Sequence, residues 1–412
     1  MLNWKKNAAL FIAGQALSFF GTMVVGHAIT WHITLKTHSG QMMALFTAAA
    51  FLPMLFVSPF GGVWADRYNR KYIINISDGA VAFVSLIAAL FLMAGIDSAA
   101  ILLFCSIMRS LGQGVQSPAV GAFIADIVPQ ENLIKVNGIQ NSIFSFVTLT
   151  APMLSAAMMI SVPLSTLFFL DVSTAAVGIS IVAFFVKTPS KIQDVKSIKS
   201  MSYFQDVKDS LRYVKEHNYI FKLIIISAFF MFLCAPVMFL TPLQVIRNFG
   251  DSIWRLSAAE IVFSVGTMAG GILIGIWGGF KNRIYTMAFS CGLCGFLCIG
   301  LGAVGNFIAY LIVMAAGGLI IQFYNAPFMT LVQTEVDPKF LGRVLAVFST
   351  TASAIMPLGM AVFGPLADFV SIDMLLIVTG IIIVFLCLPM LASKTLVQIG
   401  VNYLKRAAKS AQ

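Results

Sequence analysis

Apolar segments of roughly 20 residues recur along the whole chain, and this recurrence limits the possible folds more than any other feature of the sequence. A helix of about that length crosses the hydrocarbon core of a bilayer. Hydrophobic residues make up 59% of the chain and charged residues 10%, so a water-soluble globule could not cover its surface with polar groups. The segments are continuously apolar rather than alternating, which predicts helices and excludes the strands of a membrane barrel.

The segments predict an all-α membrane protein with twelve transmembrane helices. Lys5 and Lys6 precede a first segment that is too long for the apolar core of a cleaved signal peptide, and we expect it to remain as the first helix. The predicted spans are residues 8–35, 42–65, 72–94, 99–125, 137–160, 163–186, 219–243, 255–279, 284–305, 307–332, 343–367 and 371–392.

The net charge of +10 follows the topology of a membrane protein. Lys and Arg collect in the cytoplasmic loops of such proteins. Of the 26 Lys and Arg residues, the predicted outer loops contain only Lys36, Arg247 and Arg255, and Arg109 lies inside a span. We therefore expect a multi-pass protein of the cell (plasma or inner) membrane with both termini in the cytoplasm. Because the charge is explained by topology, we expect no nucleic-acid partner.

The two halves of the chain repeat each other at a shift of 209 residues. The coinciding pairs are Gly61-Gly62 with Gly270-Gly271, Gln113 with Gln322, Gln116 with Asn325, Pro118 with Pro327, Asp126 with Glu335, and Pro129 with Pro338. Six spans per half make the repeat parallel, as in transporters that alternate access around a midplane site. The repeat predicts two pseudo-symmetric six-helix bundles and favours a transporter.

One long polar segment between spans determines the predicted domain boundaries. The predicted parts are an N-terminal six-helix bundle at 1–186, a cytoplasmic interdomain loop at 187–218, a C-terminal six-helix bundle at 219–392 and a cytoplasmic tail at 393–412. Apolar residues recur at helical spacing from Phe204 to Val214, which predicts an amphipathic helix within the loop.

The segment "GGVWADRYNRK", Gly61 to Lys71, gathers charges between the second and third spans. It resembles the signature loop of the major facilitator superfamily, and with the twelve spans and the repeat this resemblance covers the whole chain. The stretches "NAALFIAGQALSFFGTMVVGHAITWHITLKTHSG" and "YFQDVKDSLRYVKEH" are similar to the drug:proton antiporter subfamily that contains macrolide efflux (Mef-type) and enterobactin-exporter-like proteins. The resemblance implies a monomeric transporter in the bilayer, with a small-molecule substrate and protons as partners.

By this resemblance, the signature loop belongs to a cytoplasmic gate. The expected gate residues are Gly62, Asp66, Arg67, Arg70 and Asp126. We expect Arg70 to pair with Asp126 at the inner end of the fourth span. We expect Asp66 to accept hydrogen bonds from the start of the eleventh helix, where the helix dipole favours an anion.

The remaining residues of the loop have local explanations. Gly61 and Gly62 would let the second helix pack closely, because a glycine has no Cβ. Asn69 replaces the family's usual Gly and would tolerate a left-handed turn. Lys71 is interpreted mainly as a marker of topology.

The fourth span carries Arg109, Gln113 and Gln116 at i, i+4 and i+7, on one helical face. An Arg at that depth costs at least about 2.5–3.5 kcal/mol on insertion scales, so it should face a partner or a wet cavity. The tenth span repeats the polar face as Gln322 and Asn325. In the family, helices 1, 4, 7 and 10 line the central cavity, and we expect these five residues to bind substrate. Structural hydrogen bonds between helices are the alternative for each.

The candidates for proton coupling are Arg109, Asp171 and Glu260. The family has an Arg at the matching place in its fourth helix that is implicated in the proton relay. Asp171 lies in the sixth span at a depth comparable to that of Arg109, so an Arg109–Asp171 pair would satisfy both charges; the sequence leaves structural pairing and proton coupling equally open. Asp78, in the third span, is interpreted as a structural partner of nearby basic residues.

The fifth span contains Ala151-Pro152 and Ser155-Ala156, which resemble a degraded form of the Gly-Pro motif of family antiporters and imply export. The sequence has no nucleotide-binding P-loop, so we expect no ATP-driven step by this chain. The six cysteines lie inside spans and are interpreted as packing residues. We expect no enzyme activity, no cofactor and no metal site, because no nucleophile, base and ligand cluster appears at membrane depth.

These observations predict a secondary active transporter for proton-coupled efflux of hydrophobic or amphiphilic, macrolide-like drugs by alternating access. An exporter of a siderophore or lipid, or an uptake symporter, is the first alternative. A non-transporting membrane sensor or assembly factor is the alternative from another class.

Overall fold

The computed structural model describes residues 4–187, 212, 214–336 and 338–398. The long elements of this part of the chain are twelve helices, which we number in chain order. They are α1 (Trp4–Thr37), α2 (Gly40–Arg67), α3 (Arg70–Met93), α4 (Ala99–Ile127), α5 (Leu133–Ser161), α6 (Leu164–Ser180), α7 (Asn218–Phe249), α8 (Ile253–Trp277), α9 (Arg283–Ala303), α10 (Phe307–Glu335), α11 (Pro338–Phe369) and α12 (Ile372–Ala392). A 3₁₀ turn, Gln130–Asn132, precedes α5, and a π-helical turn, Ile181–Phe185, continues α6.

Within the described residues, eleven helices are long and apolar enough to cross a membrane. The remaining helix, α4, is less apolar because it carries Arg109, Gln113 and Gln116, but its 29 residues span about 43 Å at 1.5 Å per residue. Large aromatic side chains face outward, such as Phe184 and Phe369, which are 81% and 87% exposed. Such exposure is typical of a lipid-facing surface. The prediction of an all-α membrane protein is therefore confirmed.

The described chain forms two compact units. The first contains the described residues of Met1–His38, Leu45–Gln193 and Asp251–Ser257, and the second those of Ser39–Ala44, Asp194–Gly250 and Ala258–Gln412. In the first unit, α1 packs against α5 and α6, and α3 packs against α4 and α6. In the second unit, α7 packs against α11 and α12, and α9 packs against α10 and α12. Each helix pair in one unit corresponds to a pair six helices later, as the sequence repeat requires.

Close helix contacts through glycine are also repeated. A Cβ on Gly114 of α4 would lie 2.8 Å from the carbonyl oxygen of Met54 in α2, so only glycine fits there. In the second unit, a Cβ on Gly318 of α10 would lie 2.2 Å from the carbonyl oxygen of Phe263 in α8. Met54 and Phe263 differ by the 209 residues of the sequence repeat, whereas Gly114 and Gly318 differ by 204, so the two contacts are similar but not at equivalent positions of α4 and α10. Small residues at these positions let the paired helices approach backbone to backbone.

Two expectations for the signature loop need correction. Gly61 does pack closely, since a Cβ there would lie 2.8 Å from the Gly114 oxygen, but Gly62 faces open space. Asn69 is not left-handed: its φ of −63° and ψ of 114° are extended, and its side chain accepts a hydrogen bond from the Lys71 N–H. Asn69 therefore serves as the N-cap of α3, a role for which Asn is among the preferred residues.

The end of α6 is held by two side chains from other helices. Lys71 Nζ donates to the carbonyl oxygens of Ala183 and Val186, both at 2.8 Å. Asn7 donates to the Lys187 oxygen at 2.6 Å and accepts from the Lys187 N–H at 2.8 Å. Lys71 thus satisfies carbonyls that a helix end leaves unpaired, which is more than the topological role that its position suggests.

The predicted amphipathic helix of the interdomain loop lies almost entirely outside the described residues. The described part of that loop includes Arg212 and Glu216, which form an i, i+4 ion pair at 2.9 Å. Beyond Gln398, the C-terminal tail also lies outside the described residues.

Candidate functional site

The first unit contains a cavity of about 270 Å³ that its helices α1 to α5 line. We call it the first-unit cavity. Its polar lining residues are Gln15, Ser18, Thr22, Asp78, Gln113, Gln116, Ser117 and Gln140, and its other lining residues are Phe19, Met54, Val81, Val120, Gly121 and Phe144. The volume lies slightly below the range of about 300–1,000 Å³ that is typical of sites for drug-sized ligands. The cavity can therefore hold a substantial part of such a molecule.

Asp78 forms the acidic part of the cavity wall. Its side chain accepts hydrogen bonds from Ser18 Oγ at 2.8 Å, Gln116 Nε2 at 2.9 Å and Gln15 Nε2 at 3.3 Å. Asp78 is 5% exposed, and the three donors are all neutral. The interpretation of Asp78 as a partner of basic residues is therefore wrong. Among the described residues no cationic side chain bonds to Asp78, and amide and hydroxyl groups from α1 and α4 satisfy the carboxylate instead.

The second buried acid, Asp171, is paired with Arg109. Arg109 Nη1 donates to Asp171 Oδ2, and both residues are almost fully buried. Arg109 Nη2 also donates to the Thr22 carbonyl oxygen at 3.0 Å. Ser85 and Thr22 donate their hydroxyls to Asp171 at 2.8 and 3.3 Å. The ion pair expected from the need to satisfy two deeply placed charges is present, and its hydrogen bonds fill the remaining sites on the carboxylate.

Glycine makes room for this pair where α1 crosses α6. A Cβ on Gly21 would lie 2.9 Å from the Cα of Asp171 and 2.1 Å from the hydroxyl oxygen of Thr174. Because Gly21 has no side chain, the backbone of α1 comes close enough for its Thr22 carbonyl to reach Arg109.

The structure brings some of the sequence-predicted site residues together. Gln113 and Gln116 line the first-unit cavity, and their role in substrate binding stays a prediction. Arg109 is turned towards Asp171 and is not among the lining residues, so its direct contact with substrate stays a prediction. Gln322 and Asn325 are half-buried on α10, and Glu260 is half-buried on α8, all in the second unit. Their roles likewise stay predictions.

Sequence reasoning missed the polar face of α1 at this site. Gln15, Ser18 and Thr22 follow each other at i, i+3 and i+7, so they share one helical face. That face turns inward, since Gln15 and Ser18 are 4% and 3% exposed. The spacing was a readable signal, because polar residues inside an apolar span face the protein interior. Gln140 of α5 carried no comparable signal.

The signature loop forms a network around Arg70. Arg70 Nη1 donates to Asp126 Oδ1 at 2.7 Å, which is the contact expected from the sequence. Arg70 Nη2 lies 3.3 Å from Asp66 Oδ1. The guanidinium also donates to the carbonyl oxygens of Ala65 and Ala122 at 2.9 and 3.0 Å. One planar group with five donors can join the ends of α2 and α4 in this way, which a lysine cannot do.

The other gate expectations concern positions at the end of α2. Arg67 is the last residue of α2 and is exposed, and Asp66 is also largely exposed. The contact from Asp66 to the start of the eleventh helix stays a prediction, as does the gating role of Gly62, Asp66, Arg67, Arg70 and Asp126.

The degraded Gly-Pro motif lies at a close helix contact. Ser155 Oγ of α5 donates to the Val24 carbonyl oxygen of α1 at 3.0 Å, and Ala151 is fully buried. Pro152 lies inside α5, where proline removes a backbone hydrogen bond and permits bending. The motif therefore joins α5 to the same helix that contributes the polar face of the cavity.

A charged cluster lies where the end of α1 meets the turn between α3 and α4. Asp97 accepts from Lys36 Nζ at 2.7 Å and lies 3.1 Å from His32 Nε2. Partial burial raises the pKa of Asp97, but the hydrogen bonds and charges of Lys36 and His32 outweigh that effect and hold the pKa below its ordinary value. The cluster ties the end of α1 to this turn.

The family is decided by a comparison with known proteins. Residues 11–360 match the profile of the Major Facilitator Superfamily. The chain belongs to the major facilitator superfamily. It is therefore a membrane transporter for small molecules and not an enzyme.

Individual relatives agree with this assignment. The chain is 28% identical over 387 residues to macrolide efflux protein A of Streptococcus pyogenes, covering 93% of this chain and 94% of the relative. Among solved structures, a D-xylose–proton symporter matches with a TM-score of 0.69 at 14% identity, covering 94% of this chain and 98% of the symporter. The nucleoside transporter NupG matches with a TM-score of 0.71 at 13% identity, covering 96% of this chain and 100% of that chain. At these identities the two structures support the fold alone.

Proposed function

We propose that the protein exports amphiphilic, macrolide-like drugs in exchange for protons by alternating access of its two six-helix bundles. The observation that carries the proposal is the first-unit cavity, which combines a buried acid with amide donors and aromatic walls. The similarity to macrolide efflux protein A over nearly the whole of both chains supports the choice of substrate class. The degraded Gly-Pro motif of α5 supports export over uptake.

The proposal assigns roles to the candidate residues. Gln113 and Gln116 would bind polar groups of the substrate from the first unit, and Gln322 and Asn325 would do so from the second. The proton-coupling candidates are Arg109, Asp171 and Glu260. Thr22 lines the cavity and also contacts the buried Arg109–Asp171 pair. This contact supports a role of the pair in coupling substrate binding in the cavity to proton movement.

The Arg70 network is proposed as part of the cytoplasmic gate. It joins α2 to α4 through Asp126 and two carbonyls, so these helix ends would move together when the gate opens or closes. The division into bundles at 1–186 and 219–392, the cytoplasmic location of both termini, the plasma or inner membrane location and the monomeric state belong to the same proposal.

The function is tested with everted membrane vesicles that contain the protein. Export predicts that radiolabelled erythromycin accumulates in the vesicles when a proton gradient, acidic inside, is imposed, and that a protonophore abolishes the accumulation. Vesicles from cells that lack the protein are the matched control. Drug and protons that move in the same direction would select an uptake symporter. If the vesicles accumulate a siderophore or a lipid but not erythromycin, the protein is an exporter of that substrate. If none of these compounds causes proton movement, a non-transporting protein is favoured.

A further inference from the structure

Asp78 combines deep burial, a place on the cavity wall and the lack of a cationic partner among the described residues. Its three hydrogen-bond partners, Gln15, Ser18 and Gln116, are all neutral. Burying a carboxylate without a counter-charge is costly, and the cost falls when the group takes up a proton or when a cation binds. Asp171, in contrast, already has Arg109 as its counter-charge.

The charged groups around Asp78 do not supply such a partner. From α6, Asp171 interacts with Asp78 electrostatically, and it carries the same sign of charge. From α4, Arg109 uses its guanidinium on Asp171, Ser85 and Thr22. The α1 face towards Asp78 presents only the amide of Gln15 and the hydroxyl of Ser18. A positive charge that neutralises Asp78 must therefore enter from the cavity.

The aromatic lining of the cavity indicates what kind of cation fits. Phe19 of α1 and Phe144 of α5 are stacked, with ring centroids 4.7 Å apart and planes at 22°, and both line the cavity together with Asp78. Aromatic faces attract cations and also pack against apolar rings. A carboxylate and aromatic rings in the lining of one cavity match a protonated amine attached to an apolar body.

We propose that Asp78 is the group in the first-unit cavity for which a proton and the protonated amine of the substrate compete. This inference rests on the proposed drug:proton exchange and names the site and the ligand class for it. Without substrate, the carboxyl group holds a proton and is neutral. When the ammonium group binds, the O–H proton of Asp78 leaves to water and the carboxylate pairs with the ammonium. One positive charge enters and one leaves, so the buried site never carries an unpaired anion.

The test compares two ligands that differ at the amine. Erythromycin carries a protonated tertiary amine near neutral pH, whereas its N-oxide has the same ring system without a strongly basic amine. The purified wild type in detergent should bind erythromycin roughly 10- to 100-fold more tightly than the N-oxide, the range expected for a hydrogen bond to a charged group. In weakly buffered solution, erythromycin binding should release up to one proton, and N-oxide binding should release none.

Asp78→Asn should remove both the preference for the amine and the proton release, while it keeps the N-oxide affinity within about threefold of that of the wild type. Glu131→Gln, which neutralises an exposed carboxylate in the turn before α5, is the matched control and should behave as the wild type does. If Asp78→Asn still releases the proton, the assignment to Asp78 is wrong, although drug:proton exchange stands. If the wild type binds neither erythromycin nor the cation tetraphenylphosphonium, the cation site and the proposed substrate class are both overturned.

Two further variants guard against a folding defect in Asp78→Asn. Asp78→Glu keeps the carboxyl group and should retain proton release. Ser18→Ala removes a neutral donor that stabilises the carboxylate, so the pH midpoint of erythromycin binding should move up by about one unit. A midpoint that stays in place in Ser18→Ala, in a protein that still binds the N-oxide, would contradict the role of Asp78.

Discussion

The buried pair of Arg109 and Asp171 gives the sharpest test of how charge is held inside this transporter. The two residues are 5% and 1% exposed, so neither charge can be solvated when its partner is removed. Asp171→Asn leaves the guanidinium with the Thr22 carbonyl, at 3.0 Å, and the Ser85 hydroxyl as partners. Arg109→Gln leaves the carboxylate with the hydroxyls of Ser85 and Thr22 at 2.8 and 3.3 Å. Breaking a buried pair from one side costs about 3–5 kcal/mol.

A double-mutant cycle measures this cost. Each single variant should lower the free energy of unfolding in detergent by roughly 3–5 kcal/mol. The double variant Arg109→Gln, Asp171→Asn has no unpaired charge, so its loss should be smaller than the sum of the single losses by at least about 2 kcal/mol. The measurement is reversible unfolding in mixed micelles, followed by tryptophan fluorescence, with Glu131→Gln as an exposed control that should change stability little.

Two results would refute the reasoning. Single variants within about 0.5 kcal/mol of the wild type would mean that water or lipid headgroups reach the site. Strictly additive losses would mean that the two charges do not interact. Transport measurements on the same variants distinguish structural pairing from proton coupling. If the double variant recovers stability but not proton-coupled transport, the pair takes part in coupling. Normal transport by both single variants would exclude that role.

Three further predictions concern other parts of the chain. Arg70→Lys should lower thermal stability and slow transport, because an ammonium cannot reach Asp126 and two helix-end carbonyls together; thermal stability equal to that of the wild type would contradict the network. Gly114→Val should prevent close packing of α2 on α4, since its Cβ would meet backbone at 2.8 Å, and size-exclusion chromatography should show aggregated protein rather than a monodisperse peak. The lowered pKa of Asp97 means that its stabilising contribution is complete above the ordinary value of the carboxyl group and is lost as the pH falls through the lower folded-state value. Asp97→Asn should therefore flatten the acid side of the stability profile, and an unchanged profile would count against the cluster.

The helices and the fold class could be read from the chain because the bilayer imposes one simple requirement. Each crossing needs about 20 apolar residues with all backbone groups paired inside the segment, so hydropathy alone located twelve helices to within a few residues. The contact of Arg109 with Asp171 could be predicted for a related reason, whereas that of Arg70 with Asp126 was expected with the resemblance of the signature loop. A charge near or inside the membrane needs a partner, and few candidates were available at matching depth.

The glycines of the signature loop and Asn69 show where such reasoning stopped. The sequence does not distinguish the neighbours of Gly61 from those of Gly62. Only Gly61 faces α4, because the rotation of a helix about its axis depends on packing. Asn69 suits both a left-handed turn and an N-cap, and the structure shows the cap, with an extended backbone and a side chain that accepts from the Lys71 N–H.

Asp78 shows most clearly which properties follow from the sequence and which follow only from the tertiary structure. The sequence by itself determined that an acid lies inside the third span and that such a residue needs partners. Only the tertiary structure decided that these partners are neutral groups from α1 and α4, and that the carboxylate lines a cavity. The physical reason is that depth in the membrane follows from position along the chain, whereas the neighbours of a side chain follow from how helices far apart in sequence turn and pack against one another.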